Sequence, residues 1–396
     1  MSNILSLRHA LEQLSEDGLL RQRRILDSAC GPRAIVDGRE WLSFCSNDYL
    51  GLAAHPALAA AIAEGAARWG AGSGASHLIC GHLRPHEDAE IALAHFSGFE
   101  RALLFSTGYL ANLAVIPALV GRGDAVFADR LNHASLIDAA RLSGAEHRRY
   151  AHSDMGALAA LLAASTAKRK LISSDAVFSM DGDLAPLPEL LELAERFDAW
   201  LLVDDAHGFG VLGREGRGSW AHFDLPAAER VIYMGTLGKA AGVGGAFVAA
   251  SATVAEYLLQ RGRSYVFSTA ISPALAVAVS KSLELIAAME REREHLRALA
   301  QRLQAGWNDS RQAAAGRWRL IESPTAIQPL VVGGNEETVA LMRDLSEQGI
   351  WAPAIRPPTV PKGAARLRIS LSAAHSCEDV DTLLAALDHA ARKGGS

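Results

Sequence analysis

Cysteine is scarce in this chain of 396 residues, which contains only four. No two of them form a Cys-x-x-Cys pair, the spacing used by redox motifs and many zinc sites. We therefore expect reduced thiols, as in a cytoplasmic protein, and no disulfide or zinc framework. The four residues are Cys30, Cys45, Cys80 and Cys377.

The one local cluster of histidines also lacks the pattern of a metal site. His77, His82 and His86 are close in sequence, but they have neither zincin spacing nor a paired acid. We predict that no metal binds there.

An excess of positive charge and long apolar runs are missing as well. The formal net charge is −5, so the protein has no global basic field that would attract nucleic acid. No apolar run is as long as a membrane span, and the N-terminal residues lack the apolar region of a signal peptide. We expect a cytoplasmic protein with no nucleic-acid and no membrane partner.

The chain does have the composition and the strand pattern of a globular α/β protein. It is 49% hydrophobic and 21% charged, and its length predicts two or three subdomains. Uninterrupted apolar strands that alternate with amphipathic helices are typical of a mainly parallel sheet covered by helices on both faces. The predicted strands include residues 103–105, 125–128, 171–172, 200–203, 231–234 and 246–248.

Three regions follow from this pattern. We predict an N-terminal helix and arm (1–45), a large domain (46–281) and a smaller C-terminal α+β domain (282–396). The periodicity also predicts a helix from about residue 5 to 26 and a long charged helix from about residue 274 to 305.

A lysine and an acid follow two of the predicted strands. Lys239 lies in a glycine-rich loop three residues after Thr236, where its amine suits an imine beside a phosphate. Asp204 ends a strand and can keep a pyridine nitrogen protonated, and His207 can meet a ring hydroxyl. Together these residues predict pyridoxal 5'-phosphate (PLP). Each alone has an ordinary alternative: a solvated loop lysine, a helix N-cap or metal-binding acid, and a core histidine.

Other strand ends carry residues suited to the same cofactor. Thr107, Gly108 and Tyr109 form a strand–glycine–helix junction whose free amides suit a phosphate, although an ordinary turn is the alternative. Thr236 adds a hydroxyl to that phosphate site. His133 is a candidate for stacking on the ring or for a capping or core role, and Ser179 for meeting the ring hydroxyl or for an ordinary turn.

The assembled motifs resemble the α-oxoamine synthases, a family of fold-type-I PLP-dependent enzymes, over nearly the whole chain. The segments that carry the resemblance are Ser46–Leu52, Gly72–Gly74, Asp129–Ser135, Val177–Asp183, Asp204–Gly210, Thr236–Lys239, Ser268–Thr269, Ala326–Pro329 and Ile355–Pro361. The sequence departs from the family pattern at residues 82–87, where relatives carry a Ser/Thr/Val-rich stretch before the histidine.

The resemblance implies a seven-stranded, mainly parallel sheet and a homodimer with shared active sites. By that similarity Lys239 holds PLP and acts as the base. Asp204 pairs with the pyridine nitrogen, His207 and Ser179 meet the ring hydroxyl, and His133 stacks on the ring. Gly108, Tyr109 and Thr236 hold the phosphate, and Asn47 and Thr269 reach in from the partner chain.

The resemblance also implies the substrates. Arg356 matches a position that binds the amino-acid carboxylate, and Arg21 and Thr359 match positions that contact the acyl group. The last two motifs point to a family member that condenses L-alanine with a pimeloyl thioester, carried on CoA or on acyl carrier protein. The alternative is a sister enzyme that uses glycine and acetyl-CoA.

Overall fold

The N-terminal arm in the computed structural model is a helix followed by a hairpin. The structure describes residues 3–17, 19–20, 23–310 and 316–393. Helix α1 spans Asn3–Glu16, and strands β1 (Arg33–Val36) and β2 (Arg39–Ser43) pair antiparallel. The helix ends about ten residues before the predicted end and buries none of its side chains, so tertiary packing does not extend it.

The large domain alternates strands and helices as predicted. It also contains a π-helical turn at His77–Gly81 and a 3-10 turn at Arg214–Gly216. Its helices are α2 (Pro56–Trp69), α3 (Arg84–Ser97), α4 (Gly108–Leu119), α5 (Ala134–Ser143), α6 (Met155–Ala163), α7 (Leu187–Arg196), α8 (Ser219–His222), α9 (Ala252–Arg261), α10 (Arg263–Val266) and α11 (Pro273–Ala288). Its strands are β3 (Arg101–Phe105), β4 (Ala125–Asp129), β5 (Glu146–Tyr150), β6 (Lys170–Asp175), β7 (Ala199–Asp204), β8 (Val231–Thr236) and β9 (Ala246–Ala250).

These seven strands form one sheet in the order β3-β9-β8-β7-β6-β4-β5. Strand β9 runs antiparallel to both of its neighbours, and the pairs from β8 to β5 are parallel. Strands β4 and β9 are buried along their whole length, because helices cover both faces of the sheet. The predicted α/β class and the mainly parallel seven-stranded sheet are confirmed.

The C-terminal part is a smaller α+β unit. A four-stranded antiparallel sheet has the order β10-β11-β14-β13, and β12 pairs in parallel with β2 of the arm. The arm therefore packs with the C-terminal part. Its elements are α12 (Glu290–Asn308), β10 (Arg319–Leu320), β11 (Ile327–Gly333), α13 (Asn335–Glu347), β12 (Ile350–Trp351), β13 (Ala354–Ile355), β14 (Ala365–Ser370) and α14 (Cys377–Lys393).

The single long helix predicted over residues 274–305 is wrong, because α11 and α12 are separate helices that meet at Met289. Helix α11 packs on α2 and α3 of the large domain, whereas α12 packs on α14. The predicted domain boundary after residue 281 falls within α11, so we propose Met289 as the boundary instead.

Among the described residues, none of the helices combines the length and the apolar character that crossing a membrane requires.

The close crossing of α2 and α11 gives a test of this packing. A Cβ atom added at Gly65 would lie 2.9 Å from the Cα of Ala274 and 3.2 Å from the Cβ of Val277. We expect Gly65→Val to lower the free energy of unfolding by about 1–3 kcal/mol through overpacking. Urea unfolding measures the change. Ala66→Val, at an exposed position of the same helix, is the control for a branched residue and should have a much smaller effect.

Candidate active site

The carboxyl ends of the parallel strands place several polar residues at one edge of the sheet. Asp175 ends β6, Asp204 ends β7 and Thr236 ends β8. Asp175 and Asp204 are direct neighbours in the β6–β7 register. This edge of an open α/β sheet is where ligands bind, and Lys239 follows in the loop after β8.

The amine of Lys239 is held against a histidine. Its Nζ lies 2.9 Å from Nε2 of His207, whose Nδ1 lies 2.7 Å from the hydroxyl of Tyr49. Burial lowers the pKa of the Lys239 amine to about 8, although the charges of Asp204 and Asp175 act in the opposite direction. Burial also lowers the pKa of His207 well below its usual value, and the Lys239 charge adds to this effect. At neutral pH, His207 is therefore uncharged.

A buried arginine that the sequence analysis missed extends this network into the C-terminal part. Arg368 is 5% exposed, and its guanidinium donates to the Tyr49 hydroxyl (3.3 Å), to Oδ1 of Asn47 (3.0 Å) and to the carbonyl of Ser179. The available signal was an arginine inside strand β14, where apolar residues flank it on both sides. The Ser179 contact is made through its backbone.

Asn47 lies in the network of its own chain, and the partner-chain contribution implied for it by the family resemblance stays a prediction. Its Oδ1 accepts from the Tyr49 hydroxyl at 3.1 Å as well as from Arg368. The segment that carries it is fixed against the residues that follow β14, because Ser372 Oγ donates to the carbonyl of Asp48.

A second network joins Asp204 to His133. Asn112 Nδ2 donates to Oδ2 of Asp204 (2.7 Å) and to Oγ of Ser135 (2.9 Å), and that hydroxyl lies 2.8 Å from Nδ1 of His133. The structure thus brings the predicted pair Asp204 and His133 together through two residues that the sequence analysis did not select. For Asn112, the available signal was a lone asparagine in the otherwise apolar helix α4.

Two buried acids stand side by side at the ends of β6 and β7. Asp175 is fully enclosed, and burial together with the neighbouring Asp204 raises its pKa well above the usual range. Its Oδ2 accepts the backbone N–H of His133 at 2.7 Å. Its position beside Asp204 and its burial thus favour the uncharged form of Asp175.

The start of α4 provides an anion site. Thr107 is the N-cap, and its Oγ1 accepts the N–H of Leu110 at 3.2 Å. The amides of Gly108 and Tyr109 have no partner within the helix and lie at the positive end of its dipole. On the neighbouring β8–β9 side, the Thr236 hydroxyl donates to the carbonyl of Gly245 at 3.2 Å.

These features fit PLP. Asp204 supplies an anionic carboxylate for a ring nitrogen, the α4 N-terminus supplies amides for a phosphate, and Lys239 supplies a primary amine. Oδ1 of Asn112, beside Asp204, is buried and finds no hydrogen-bond partner among the described residues.

Two of the remaining predicted residues lie in the C-terminal part, and a third pairs with Ser76. Arg356 and Thr359 belong to the loop after β13, where the Thr359 N–H donates to the Arg356 carbonyl. Thr269 is exposed and forms an isolated bridge with Ser76. Arg21 falls outside the described residues. The roles predicted for these four residues stay predictions.

His152 links the strand edge to the turn that carries Ser179. Its Nδ1 lies 3.1 Å from Oδ1 of Asp129 at the end of β4, and its Nε2 lies 2.7 Å from Oδ2 of Asp183. Burial disfavours the charged imidazole, but the two carboxylates prevail and raise the pKa of His152 to about 10. His152 is thus a cation that holds two separate segments together.

This contact predicts a specific pH dependence of stability. Because the folded pKa is above the ordinary value of about 6.5, the stabilisation is complete below that pH and is lost as pH rises towards 10. We expect His152→Gln to lower the free energy of unfolding most near pH 6 and progressively less up to pH 10, as measured by urea unfolding. His95→Gln, at an exposed position, is the control. A deficit of His152→Gln that does not vary with pH would contradict the ionic role.

Comparisons with known proteins agree with this fold. An 8-amino-7-oxononanoate synthase of Herminiimonas arsenicoxydans is 62% identical over 384 residues, covering 96% of this chain and 97% of the relative. A serine palmitoyltransferase variant from S. paucimobilis with a bound PLP–myriocin aldimine superposes with a TM-score of 0.90 at 29% identity, over 98% of each chain. The structure of an 8-amino-7-oxononanoate synthase from Francisella tularensis has a TM-score of 0.76 at 29% identity and covers 90% of this chain and 99% of that one.

The model of the class I and II aminotransferase family matches residues 39–387, which include both parts of the fold and every residue of the networks around Lys239 and Asp204. The chain belongs to the class I and II aminotransferase family.

Proposed function

We propose that the protein is a PLP-dependent acyltransferase that condenses L-alanine with a pimeloyl thioester to form 8-amino-7-oxononanoate, a step of biotin biosynthesis. A C–C bond forms between the alanine Cα and the acyl carbonyl carbon, the C–S bond breaks, and the alanine carboxyl group leaves as CO2. The observation that carries the proposal is the 62% identity over 96% of the chain to a relative of that name.

The described residues suit the binding of PLP at the sheet edge. Bound PLP supplies an electron sink for the electron pair left when a Cα bond of the amino acid breaks. Asp204 holds the ring nitrogen in its protonated form, and Asn112 fixes the orientation of that carboxylate. The amides of Gly108 and Tyr109 and the hydroxyl of Thr236 hold the phosphate.

Lys239 is the group that moves a proton. A general base works best when its pKa is near the working pH, and burial brings the pKa of Lys239 to about 8. His207, uncharged and 2.9 Å away, orients the amine without competing for its proton at neutral pH. Nζ of Lys239 therefore takes the Cα proton of alanine and later returns a proton to the product.

Arg368 binds the carboxylate of alanine. Its guanidinium is buried and is joined to Lys239 through Tyr49 and His207, so it places a fixed positive charge near the amine. A buried guanidinium suits the planar geometry of a carboxylate. Arg356, to which the family resemblance gave this role, is the competing candidate.

The same proposal covers the residues that contact the acyl thioester and the oligomeric state of the protein. Arg21, Thr359 and a Thr269 supplied by a partner subunit contact the acyl substrate or the cofactor site, and His133 stacks on the ring. The protein acts as a homodimer in the cytoplasm, and its thiol carrier is CoA or acyl carrier protein. A sister reaction of glycine with acetyl-CoA is not favoured, since the relative at 62% identity is an 8-amino-7-oxononanoate synthase.

Product formation tests the proposal. With PLP and pimeloyl-CoA or the carrier-protein thioester, we expect mass spectrometry to detect 8-amino-7-oxononanoate from alanine but no condensation product from glycine or serine. Lys239→Ala should lower turnover at least about 10²–10⁴-fold, the usual contribution of a general acid–base group. Lys281→Ala, on the outer surface of α11, should retain activity. Turnover with glycine or serine in place of alanine would overturn the assignment.

The two candidate arginines are separated by a kinetic comparison. Arg368→Lys keeps the charge but loses the planar donor pair, so we expect the KM for alanine to rise roughly 10- to 100-fold, as for the loss of a charge-assisted contact. The KM for the pimeloyl thioester should change little. Arg356→Lys is the matched variant, and the reverse pattern would assign the carboxylate to Arg356.

A further inference from the structure

A compact group of potential metal ligands lies around the π-helical turn at residues 77–81, in contacts separate from the Lys239 network. His77, His82 and Glu90 each offer one ligand atom, and these three atoms lie within 4.8 Å of one another. His77 and Glu90 are buried and His82 is half-buried. Glu90, which lies one turn after His86 on α3, is the acid that the sequence analysis did not find.

The two histidine nitrogens are almost at the spacing that a metal requires. Nδ1 of His77 and Nδ1 of His82 lie 2.8 Å apart and share one hydrogen. Two nitrogens at about 2.0–2.1 Å from one tetrahedral ion are separated by roughly 3.3–3.4 Å. A ring movement of about half an ångström therefore lets an ion replace the shared hydrogen.

The outer contact of His82 orients its Nδ1 lone pair towards this point, and the hydrogen that an ion would replace is then the one on Nδ1 of His77. Nε2 of His82 lies 3.0 Å from Oε2 of Glu87, so its N–H donates outwards and Nδ1 is the acceptor nitrogen. A carboxylate on the outer nitrogen is the usual support of a metal-binding histidine. The ring of His77 is fixed by stacking on Tyr265, with centroids 4.6 Å apart and planes 10° apart.

The neighbouring groups define which atoms are available. Oε1 of Glu90 accepts the backbone N–H of Leu104 at 2.8 Å, which fixes the carboxylate. His86 uses both of its nitrogens, one with the Leu83 N–H at 2.9 Å and one with the Ile271 carbonyl at 2.8 Å. His86 therefore borders the cluster, but it is not a ligand because both of its nitrogens are already hydrogen-bonded.

We propose that His77, His82 and Glu90 bind a divalent transition-metal ion, with Zn²⁺ as the best match to two imidazoles and one carboxylate. Water completes the tetrahedron, because His82 borders solvent. The ion holds the π-helical turn against α3. The site is independent of the proposed condensation reaction, and it includes the segment at residues 82–87 where the sequence departs from the family pattern.

Metal titration of the PLP-loaded full-length protein tests the site. After dialysis against a chelator, calorimetry with Zn²⁺ should give one ion per chain with saturable binding. Co²⁺ should give the visible absorption of a tetrahedral N/O site. We expect His82→Asn and His77→Gln each to weaken binding more than the roughly 10- to 100-fold that is typical of losing an outer-shell partner, because each removes a direct ligand.

Control variants separate this site from other metal-binding groups. His95→Asn, at an exposed position on α3, and Cys80→Ser, in the π-helical turn itself, should bind as the unmodified protein does. Glu87→Gln, a milder change at a side chain that is 48% exposed, should weaken binding about 10- to 100-fold and keeps the test valid if a ligand variant fails to fold.

Thermal unfolding gives a second readout. Since an ion that binds only the folded state raises the melting temperature, Zn²⁺ should stabilise the unmodified protein and the His95→Asn variant but not His82→Asn. The proposal is overturned if the unmodified protein shows no saturable binding at micromolar Zn²⁺. It is equally overturned if His82→Asn binds normally, or if Cys80→Ser alone abolishes binding.

Discussion

The hydrogen-bonded chain from Arg368 through Tyr49 and His207 to Lys239 is the constraint on which the site depends. Its members come from β14, from the segment after β2, and from the loops that follow β7 and β8. A buried guanidinium left without partners is costly, so the C-terminal part must pack where Tyr49, Asn47 and the Ser179 carbonyl can accept its hydrogens. The packing of the C-terminal part against the large domain therefore also fixes the orientation of the Lys239 amine.

The same edge of the sheet also holds two neighbouring buried acids, an arrangement that disfavours charge on both. Asp175 and Asp204 are register neighbours on adjacent strands, and both are buried. Asp204 has the Asn112 amide and the Ala206 N–H as donors, whereas burial and the neighbouring Asp204 raise the pKa of Asp175 well above its usual range. The hydrogen-bonded carboxylate of Asp204 lies at the position suited to a protonated ring nitrogen. The second acid serves to hold the backbone of His133.

The sequence predicted those features of the fold and the site that depend on local patterns of residues. Uninterrupted apolar strands specify a parallel sheet, and in such a sheet the residues at the strand ends meet at one edge, so Asp204, Thr236 and Lys239 could be placed together. The edge strand β5 (Glu146–Tyr150) was missed because its exposed position permits polar residues that give no apolar run. The break at Met289 was missed because helical periodicity continues on both sides of it.

Residues whose role depends on distant partners could not be selected from local pattern. Arg368 is more than 180 residues from Ser179 and more than 300 from Tyr49 in the chain, and only the fold brings them together. Asn112 and Asp204 are separated by 92 residues in the same way. The contacts of Asn47 with Tyr49 and Arg368 were not predicted for a related reason, because the family resemblance assigns a residue to a site without stating which contacts hold it there.

Arg368 has an electrostatic effect on Lys239 beyond its hydrogen bonds. Burial is the main cause of the lowered pKa of Lys239, and the positive charge of Arg368 lowers it further, against the opposing effect of Asp204 and Asp175. In the proposed reaction the carboxylate of alanine offsets the Arg368 charge when it binds. Removing that repulsion raises the proton affinity of the Lys239 amine at the moment when the amine must take the Cα proton. The arginine that positions the substrate thereby also couples substrate binding to the strength of the base.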